Sequence, residues 1–272
     1  MLYVAFMNAG HIRRAALTLS IITAGWSGSA QAQDGPAPRR TRVVLGPQLV
    51  PSYPGSDDVS LRPFVDVSRA RGDEPFLFEA PDESFGFSVL QREGFAAGPS
   101  LGFQGSRTAD DVGVPIRKVG TTVEVGGFAQ HELTPSFRVR AEVRKGLGGH
   151  RGLIGNLSAD YVIRDRDEWL FSVGPRLTLA NDRYHRAYFG VTPADALSSG
   201  LPVFKAEGGV QAVGATAGFM RQLTPRWGLQ TFARYDRLIA DPARSPIVRG
   251  FGSRDQLSAG VAATFTFGRG VR

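Results

Sequence analysis

Apolar and polar residues alternate with a period of two along much of this chain, most clearly in its second half. Within residues 137–145, Phe137 alternates with Arg138, and Val143 alternates with Arg144. A period of two places successive side chains on opposite faces of a β-strand. An apolar face opposed by a charged face is typical of a strand with lipid on one side and a polar barrel interior on the other.

This pattern predicts an all-β fold: an antiparallel transmembrane β-barrel of about twelve strands, with ten to fourteen as the range. The stretch 75–92 is short and alternates poorly, which is why the predicted number of strands is a range. The predicted strands lie at residues 41–53, 59–70, 75–80, 84–92, 95–106, 119–132, 135–146, 152–165, 168–181, 208–223, 226–240 and 254–267.

Five tight polar turns are each followed at once by an aromatic residue that opens a strand, and the last predicted strand ends on another aromatic. A membrane–water interface selects aromatic side chains at one level, whereas a soluble barrel has no reason to align them. We therefore predict that six aromatic residues lie at the membrane interface: Phe76, Phe95, Phe137, Trp169, Trp227 and Phe267.

Connection lengths also alternate along the chain. The long connections, at 106–118, 146–152, 181–207 and 240–253, are separated by the short turns. Bacterial outer-membrane barrels have short periplasmic turns and long external loops, so this order predicts that both termini lie in the periplasm. An exported β-sandwich or a lipocalin-like barrel is the alternative.

The N-terminal residues have the features of a cleavable secretory signal. Arg13 and Arg14 precede a short apolar run, and Ala30 to Ala32 forms a small-x-small cleavage site. No later stretch is long and apolar enough for a transmembrane helix. The expected division is a signal peptide at 1–32, a disordered leader at 33–40, the barrel at 41–267 and a short periplasmic tail at 268–272.

Composition argues against several functions. The chain has no cysteine, which excludes disulfides and thiolate ligands, and its net charge of +7 is not gathered into a basic stretch that would indicate nucleic-acid binding. Asp182, His185 and Asp195 are the only group that resembles a hydrolase set. Because they and His150 fall in external loops, we expect solvated side chains. We therefore expect no enzyme, no catalytic residue, no cofactor and no metal.

Charged residues on the polar face of the strands have two interpretations. They line an anion-preferring pore, or they pair with one another and fill a narrow lumen. We favour pairing, because the signs are mixed and a barrel of this size has a limited interior. The residues are Arg138, Arg140, Glu142, Arg144, Asp160, Arg176, Arg234 and Asp236.

The longest external loop, 181–207, is rich in apolar residues for a solvated segment. It is expected to pack as a plug or to cap the barrel mouth, with partner binding as the alternative.

A set of short motifs, in order along the chain, resembles the MltA-interacting protein/OmpV family of outer-membrane proteins. Besides Ala97–Pro99, Ser199–Pro202 and Gly252–Gln256, the resemblance rests on loop residues, which are Tyr53, Gly55, Ser56, Asp57, Tyr188, Phe189, Gly190, Tyr235, Asp236, Arg237, Ser245 and Pro246.

The resemblance implies a barrel without enzymatic activity in the outer membrane. It also implies a scaffold that joins periplasmic murein enzymes, namely a lytic transglycosylase and a penicillin-binding protein. A narrow porin-like channel, or an outer-membrane protein that responds to small solutes or antibiotics, gated by loop 181–207, is the alternative. Expected partners are outer-membrane lipid and a murein hydrolase or synthase, with no nucleic acid. A basic periplasmic ring is a candidate docking surface or lipid anchor and comprises Arg71, Arg92, Arg164, Arg166, Arg226, Arg269 and Arg272.

Overall fold

The computed structural model describes residues 37–268, so the predicted signal peptide and most of the C-terminal tail lie outside the described residues. The strands are β1 (Arg39–Pro51), β2 (Val59–Arg71), β3 (Phe85–Gly86), β4 (Leu90–Arg92), β5 (Phe95–Gln104), β6 (Thr122–Thr134), β7 (Phe137–Gly148), β8 (Leu153–Asp165), β9 (Trp169–Ala180), β10 (Gly209–Gln222), β11 (Trp227–Leu238) and β12 (Asp255–Gly268). The helices are α1 (Ala109–Val112), α2 (Asp182–Tyr188), α3 (Pro193–Ser199), α4 (Ala240–Arg244) and α5 (Pro246–Phe251). None of these helices is long and apolar enough to cross a membrane.

The strands form one antiparallel meander that curls into a nearly closed barrel. Each strand from β5 to β12 pairs with the next, and β12 pairs with β1, which in turn pairs with β2. The short strands β3 and β4 both pair with β5, so together they form one interrupted strand. The predicted all-β barrel of about twelve strands is confirmed.

The alternation separates the two faces of the wall as predicted. On β7, Arg138, Arg140 and Glu142 point inward and are buried, whereas Val143 points outward and is 58% exposed. On β12, Thr264 is buried and Leu257 is exposed. The polar face therefore lines the lumen, and the apolar face lies on the outside.

Residues 75–80 were predicted as a strand, and this prediction is wrong. The chain leaves β2 and runs through the lumen over residues 72–84, here called the inner segment. Its Phe78 and Ala80 pack against Val162, Leu170 and Met220 on β8 to β10. Pro75 and Pro81 bracket the stretch, and a proline donates no hydrogen bond to a sheet.

The two ends of the barrel differ. The turns between β4 and β5, β6 and β7, β8 and β9, and β10 and β11 are short and lie at what we call the turn end. The opposite loop end carries every helix. Its loops pack into a layer, here called the cap, built from residues 52–58, 105–121, 181–208 and 239–254.

Candidate functional site

Ion pairs cover the inner face of β7 to β11. The Nη2 atom of Arg138 lies 2.7 Å from Asp160 Oδ2, and the Nη2 atom of Arg176 lies 2.8 Å from Asp160 Oδ1. Arg144 continues the ladder with Glu142 at 2.6 Å. Each charge is thus neutralised by a neighbour, as a low-dielectric interior requires. The structure supports the paired interpretation of these residues.

The inner segment adds two carboxylates that the sequence analysis missed. Asp82 accepts hydrogen bonds from Arg176 (2.8 Å), Arg234 (3.0 Å) and the hydroxyl of Thr216 (2.8 Å). Glu83 pairs with Arg138. The inner segment is therefore fastened to four strands of the far wall, β7, β9, β10 and β11. The only sequence signal for these two inward carboxylates was the excess of inward arginines over inward carboxylates on the predicted strands.

Phe76 closes the turn end of the lumen. The guanidinium carbons of Arg40 and Arg42 lie 5.0 and 4.0 Å from the centre of its ring, a cation–π arrangement. Its backbone N–H donates to Asp167 at 3.1 Å, and its carbonyl accepts from Arg164 at 2.9 Å. The prediction that Phe76 lies at the membrane interface is wrong, because the ring is buried under arginines inside the barrel.

The other predicted interface aromatics do lie at the turn end. Phe137, Trp227 and Phe267 are exposed on the outer face, and Phe95 and Trp169 are half-buried. The Trp227 ring packs edge-on against Phe265 at 4.6 Å, which extends the aromatic surface across two strands. Their contact with the membrane interface stays a prediction.

A chamber of about 670 Å³ occupies the lumen between the inner segment and the cap. Its wall carries both signs of charge, including Arg144, Arg234 and Glu124, together with amides such as Asn156 and Gln211. Tyr184 and Leu238 line its cap side. The inner segment thus bounds this polar chamber towards the turn end, and the cap bounds it towards the loop end.

Loop 181–207 packs in the cap, as expected. Tyr184, Tyr188 and Phe189 are fully buried and contact Ile154 of β8. A buried Arg107 crosses this layer, and its guanidinium donates to the carbonyl oxygens of Tyr188 at 2.7 Å and Arg117 at 2.9 Å. These carbonyl contacts replace the water that the buried guanidinium loses.

The family-motif residues meet in the cap from three separate loops. Gly55 N–H donates to Gln256 Oε1 at 2.9 Å, and the Gln256 amide donates back to the Ser56 carbonyl at 2.9 Å. The hydroxyl of Ser245 donates to the Phe189 carbonyl at 2.7 Å. Tyr53, Tyr188 and Gly190 are buried in the same layer, and Pro246 begins α5 beside it.

Four motif residues are not buried in this layer. Asp57 belongs to the cap but is exposed on the β1–β2 loop. Tyr235 and Arg237 point outward and both hydrogen-bond to Asp255 at 2.6 Å, whereas Asp236 points into the lumen and pairs with Arg234. The motifs therefore hold the cap to the barrel rim and do not assemble a reactive centre.

The expectation of solvated loop side chains is wrong for His150, His185 and Asp195, which are all buried. They do not form a catalytic set with Asp182. Asp195 completes the capping box of α3 by accepting from the hydroxyl of the N-cap Thr192, and it also accepts from the Arg117 N–H. Burial alone would raise the pKa of Asp195, but these hydrogen bonds bring the pKa below its usual value. The described residues contain no cluster suited to a metal ion.

His185 is expected to make the cap sensitive to acid. Burial lowers the pKa of its imidazole below the ordinary value of about 6.5, although its Nδ1 contacts the Glu207 carbonyl. The folded cap therefore prefers neutral His185, and the stability present above pH ~6.5 is lost as pH falls towards the folded pKa. We expect proteolysis of loop 181–208 to accelerate from pH 7 to 5. A His185→Gln variant should lose most of this pH dependence, and an unchanged profile would contradict the assignment.

A family model described as "MltA-interacting protein MipA" matches residues 43–267. This chain belongs to the MipA family. The MipA match begins in β1 and ends in β12, so it takes in the barrel wall, the inner segment and the cap together. Family and fold make it an outer-membrane β-barrel protein.

No curated protein matches this MipA-family chain. Among solved structures it is similar to the NanC porin, with 10% identity over 83% of this chain and 98% of that chain and a TM-score of 0.42. An outer-membrane channel (COG4313) from Pseudomonas putida F1 is 9% identical over 89% of this chain and 100% of its own, with a TM-score of 0.35. OmpT of Vibrio cholerae is 8% identical over 88% and 100%, with a TM-score of 0.35.

Proposed function

We propose that this protein is a non-enzymatic, non-conducting barrel that serves as a scaffold for a murein-processing enzyme in the periplasm. The observation that carries the proposal is the obstructed lumen. The inner segment is held to the far wall through Asp82 and Glu83, Phe76 blocks the turn end, and the cap covers the loop end. A barrel without an open path for solutes through its lumen is suited to a structural role, as a fixed anchor in the membrane.

The partner class comes from the family, whose description names an interaction with MltA. In the proposal the turn end faces the periplasm, and export uses a cleavable signal at residues 1–32. A lytic transglycosylase or a penicillin-binding protein then docks on the turns.

The turn end offers a small surface with charges of both signs. Four of the proposed ring residues, Arg71, Arg92, Arg166 and Arg226, are exposed. The Arg164 guanidinium already donates to the carbonyl oxygens of Phe76 and Arg166 and pairs with Asp167. Arg269 and Arg272 lie outside the described residues. Exposed acidic residues alternate with these arginines, namely Asp73, Glu74, Glu93, Asp165 and Glu168. Such a surface suits a weak contact that depends on charge pattern and salt.

A gated channel is the second candidate, and the chamber is the observation that favours it. Its gate would have to include the inner segment and not loop 181–207 alone, since both bound the chamber. Conductance of the purified barrel in a planar bilayer separates the two functions, because the scaffold proposal expects no stable current.

Photocrosslinking in intact cells tests the scaffold. Photoreactive residues at positions 136 and 226 sample two turns, and one at position 197 samples the cap, where Leu197 is 91% exposed. We expect a transglycosylase or a penicillin-binding protein to be captured from positions 136 and 226 and not from position 197. Capture of assembly factors alone at the turns would overturn the scaffold proposal.

A further inference from the structure

The barrel wall has a side opening between β2 and β3. These strands are the two ends of the sheet, and no backbone ladder joins them within residues 37–268. The inner segment follows β2 directly but does not fill the opening. Its carbonyls at Phe76 and Phe78 accept from Arg164 and Arg138 on the far wall. Unpaired strand edges facing lipid are costly, which favours an occupant for this opening.

A cavity of about 530 Å³ lies behind the opening, and its rim is apolar. Val65 of β2, Leu77 of the inner segment, and Phe85 and Phe103 on the other side line it. All four side chains are exposed. Leu77 points away from the packed side of the inner segment, where Phe76 and Phe78 are buried. The rim therefore suits a hydrocarbon chain entering from the bilayer.

The back of this cavity carries two carboxyl groups outside the ion-pair network. Asp66 and Glu79 both line the cavity, and neither forms an ion pair with a described residue. Asp82 and Glu83, which line the same cavity, are fully engaged by arginines. The arginines that act on Asp66 and Glu79 do so from beyond ion-pair distance, and a cationic ligand would bring the close partner that a buried carboxylate calls for.

The side cavity continues into the chamber, because the two share Gln48, Asp82, Ser84 and Arg140 as lining residues. In the chamber, Gln211 Oε1 is buried without a donor, and Gln211 is only 7% exposed. Asp236 Oδ1 also lacks a donor. Buried acceptors normally have partners. A ligand with a positively charged head and N–H donors would pair with the carboxyl groups of the side cavity and would also donate to these two acceptor atoms.

We propose that the side opening binds a cationic amphiphile, specifically a primary alkylammonium, that reaches it laterally from the membrane. The ammonium group pairs with Asp66 and Glu79, and the alkyl chain lies along Leu77, Phe85 and Phe103. An amphiphile with a longer polar head extends its donors towards Gln211. This binding activity is independent of the proposed scaffold role, since it uses the side of the barrel and not the turn end.

Calorimetric titration with octylammonium tests the proposal, using the full barrel in nanodiscs of zwitterionic lipid and empty nanodiscs as the blank. We expect one site per barrel. The isosteric double variant Asp66→Asn/Glu79→Gln should bind at least about tenfold more weakly, because charge-assisted hydrogen bonds are lost. Asp73→Asn/Glu74→Gln makes the same change of charge at the exposed start of the inner segment and should bind as the wild type does.

Two further ligands test whether the positive head and the alkyl chain are both needed for binding. Octanoate should not bind, because its head has the wrong sign, and methylammonium should bind far more weakly because it lacks the chain. Heat-dependent gel mobility verifies that each variant is folded. Equal affinity of the Asp66→Asn/Glu79→Gln variant and the wild type, or octanoate binding as tightly as octylammonium, would overturn the proposal.

Discussion

Replacement of Asp82 by asparagine is expected to lower the free energy of unfolding of the barrel by about 3 kcal/mol and to produce current through a lumen that, in our proposal, is otherwise closed. Asp82 receives hydrogen bonds from Arg176, Arg234 and Thr216. Removing one partner of a buried ion pair costs about 3–5 kcal/mol, since an uncompensated charge is left behind. The lower value is expected, because Arg176 keeps Asp160 and Arg234 keeps Asp236.

Urea unfolding followed by gel mobility measures the loss of stability, and planar-bilayer recordings measure the openings. Asp73→Asn is the matched control: it removes the same charge from the start of the inner segment, where the side chain is exposed. We expect this control to behave as the wild type. A variant at Asp82 with an unchanged unfolding midpoint would show that the ion pairs do not hold the inner segment in place.

Replacement of Gly252 by alanine is expected to loosen the cap, at a cost of about 2 kcal/mol for overpacking. A Cβ atom at position 252 would lie 2.0 Å from the carbonyl oxygen of Gly55. Gly55 has little freedom to retreat, since its N–H is bound to Gln256 and its carbonyl accepts from the Ser253 N–H at 3.0 Å. It also adopts a φ of +94°, which other residues rarely tolerate.

Limited proteolysis of the cap loops and thermal unfolding measure this effect. Gly250→Ala provides the control two residues away, because a Cβ atom there meets nothing within 4 Å. Since Gly250 lies in α5, the control should be neutral or more stable by about 0.5–1 kcal/mol. If both variants resisted proteolysis equally, the close approach of the β1–β2 loop to the end of α5 would not matter for the cap.

The sequence predicted the inward charges and their pairing with one another, but not the further carboxylates that join them. Arg138, Arg176 and Arg234 each sit at an alternating position, which is a local property of a strand. Their carboxylates Asp82 and Glu83 come from a segment that carried no local sign of lying inside the barrel. The cap residues were similarly recognised as motifs, yet Tyr188, His185 and Arg107 gave no sequence signal that they would be buried together.

The sequence by itself determined the class of fold, the face each strand presents, and the division into turns at one end and long loops at the other. Each of these follows from neighbours one to five residues apart, so a local pattern is sufficient. Only the tertiary structure decided that residues 75–80 leave the wall, that β2 and β3 stay apart, and that three other loops join loop 181–207 in one cap. Those outcomes depend on contacts such as Asp82 with Arg234, which are 152 positions apart. The free energies of these contacts depend on which charged and aromatic side chains meet in the lumen. A pattern of period two does not encode which side chains those are.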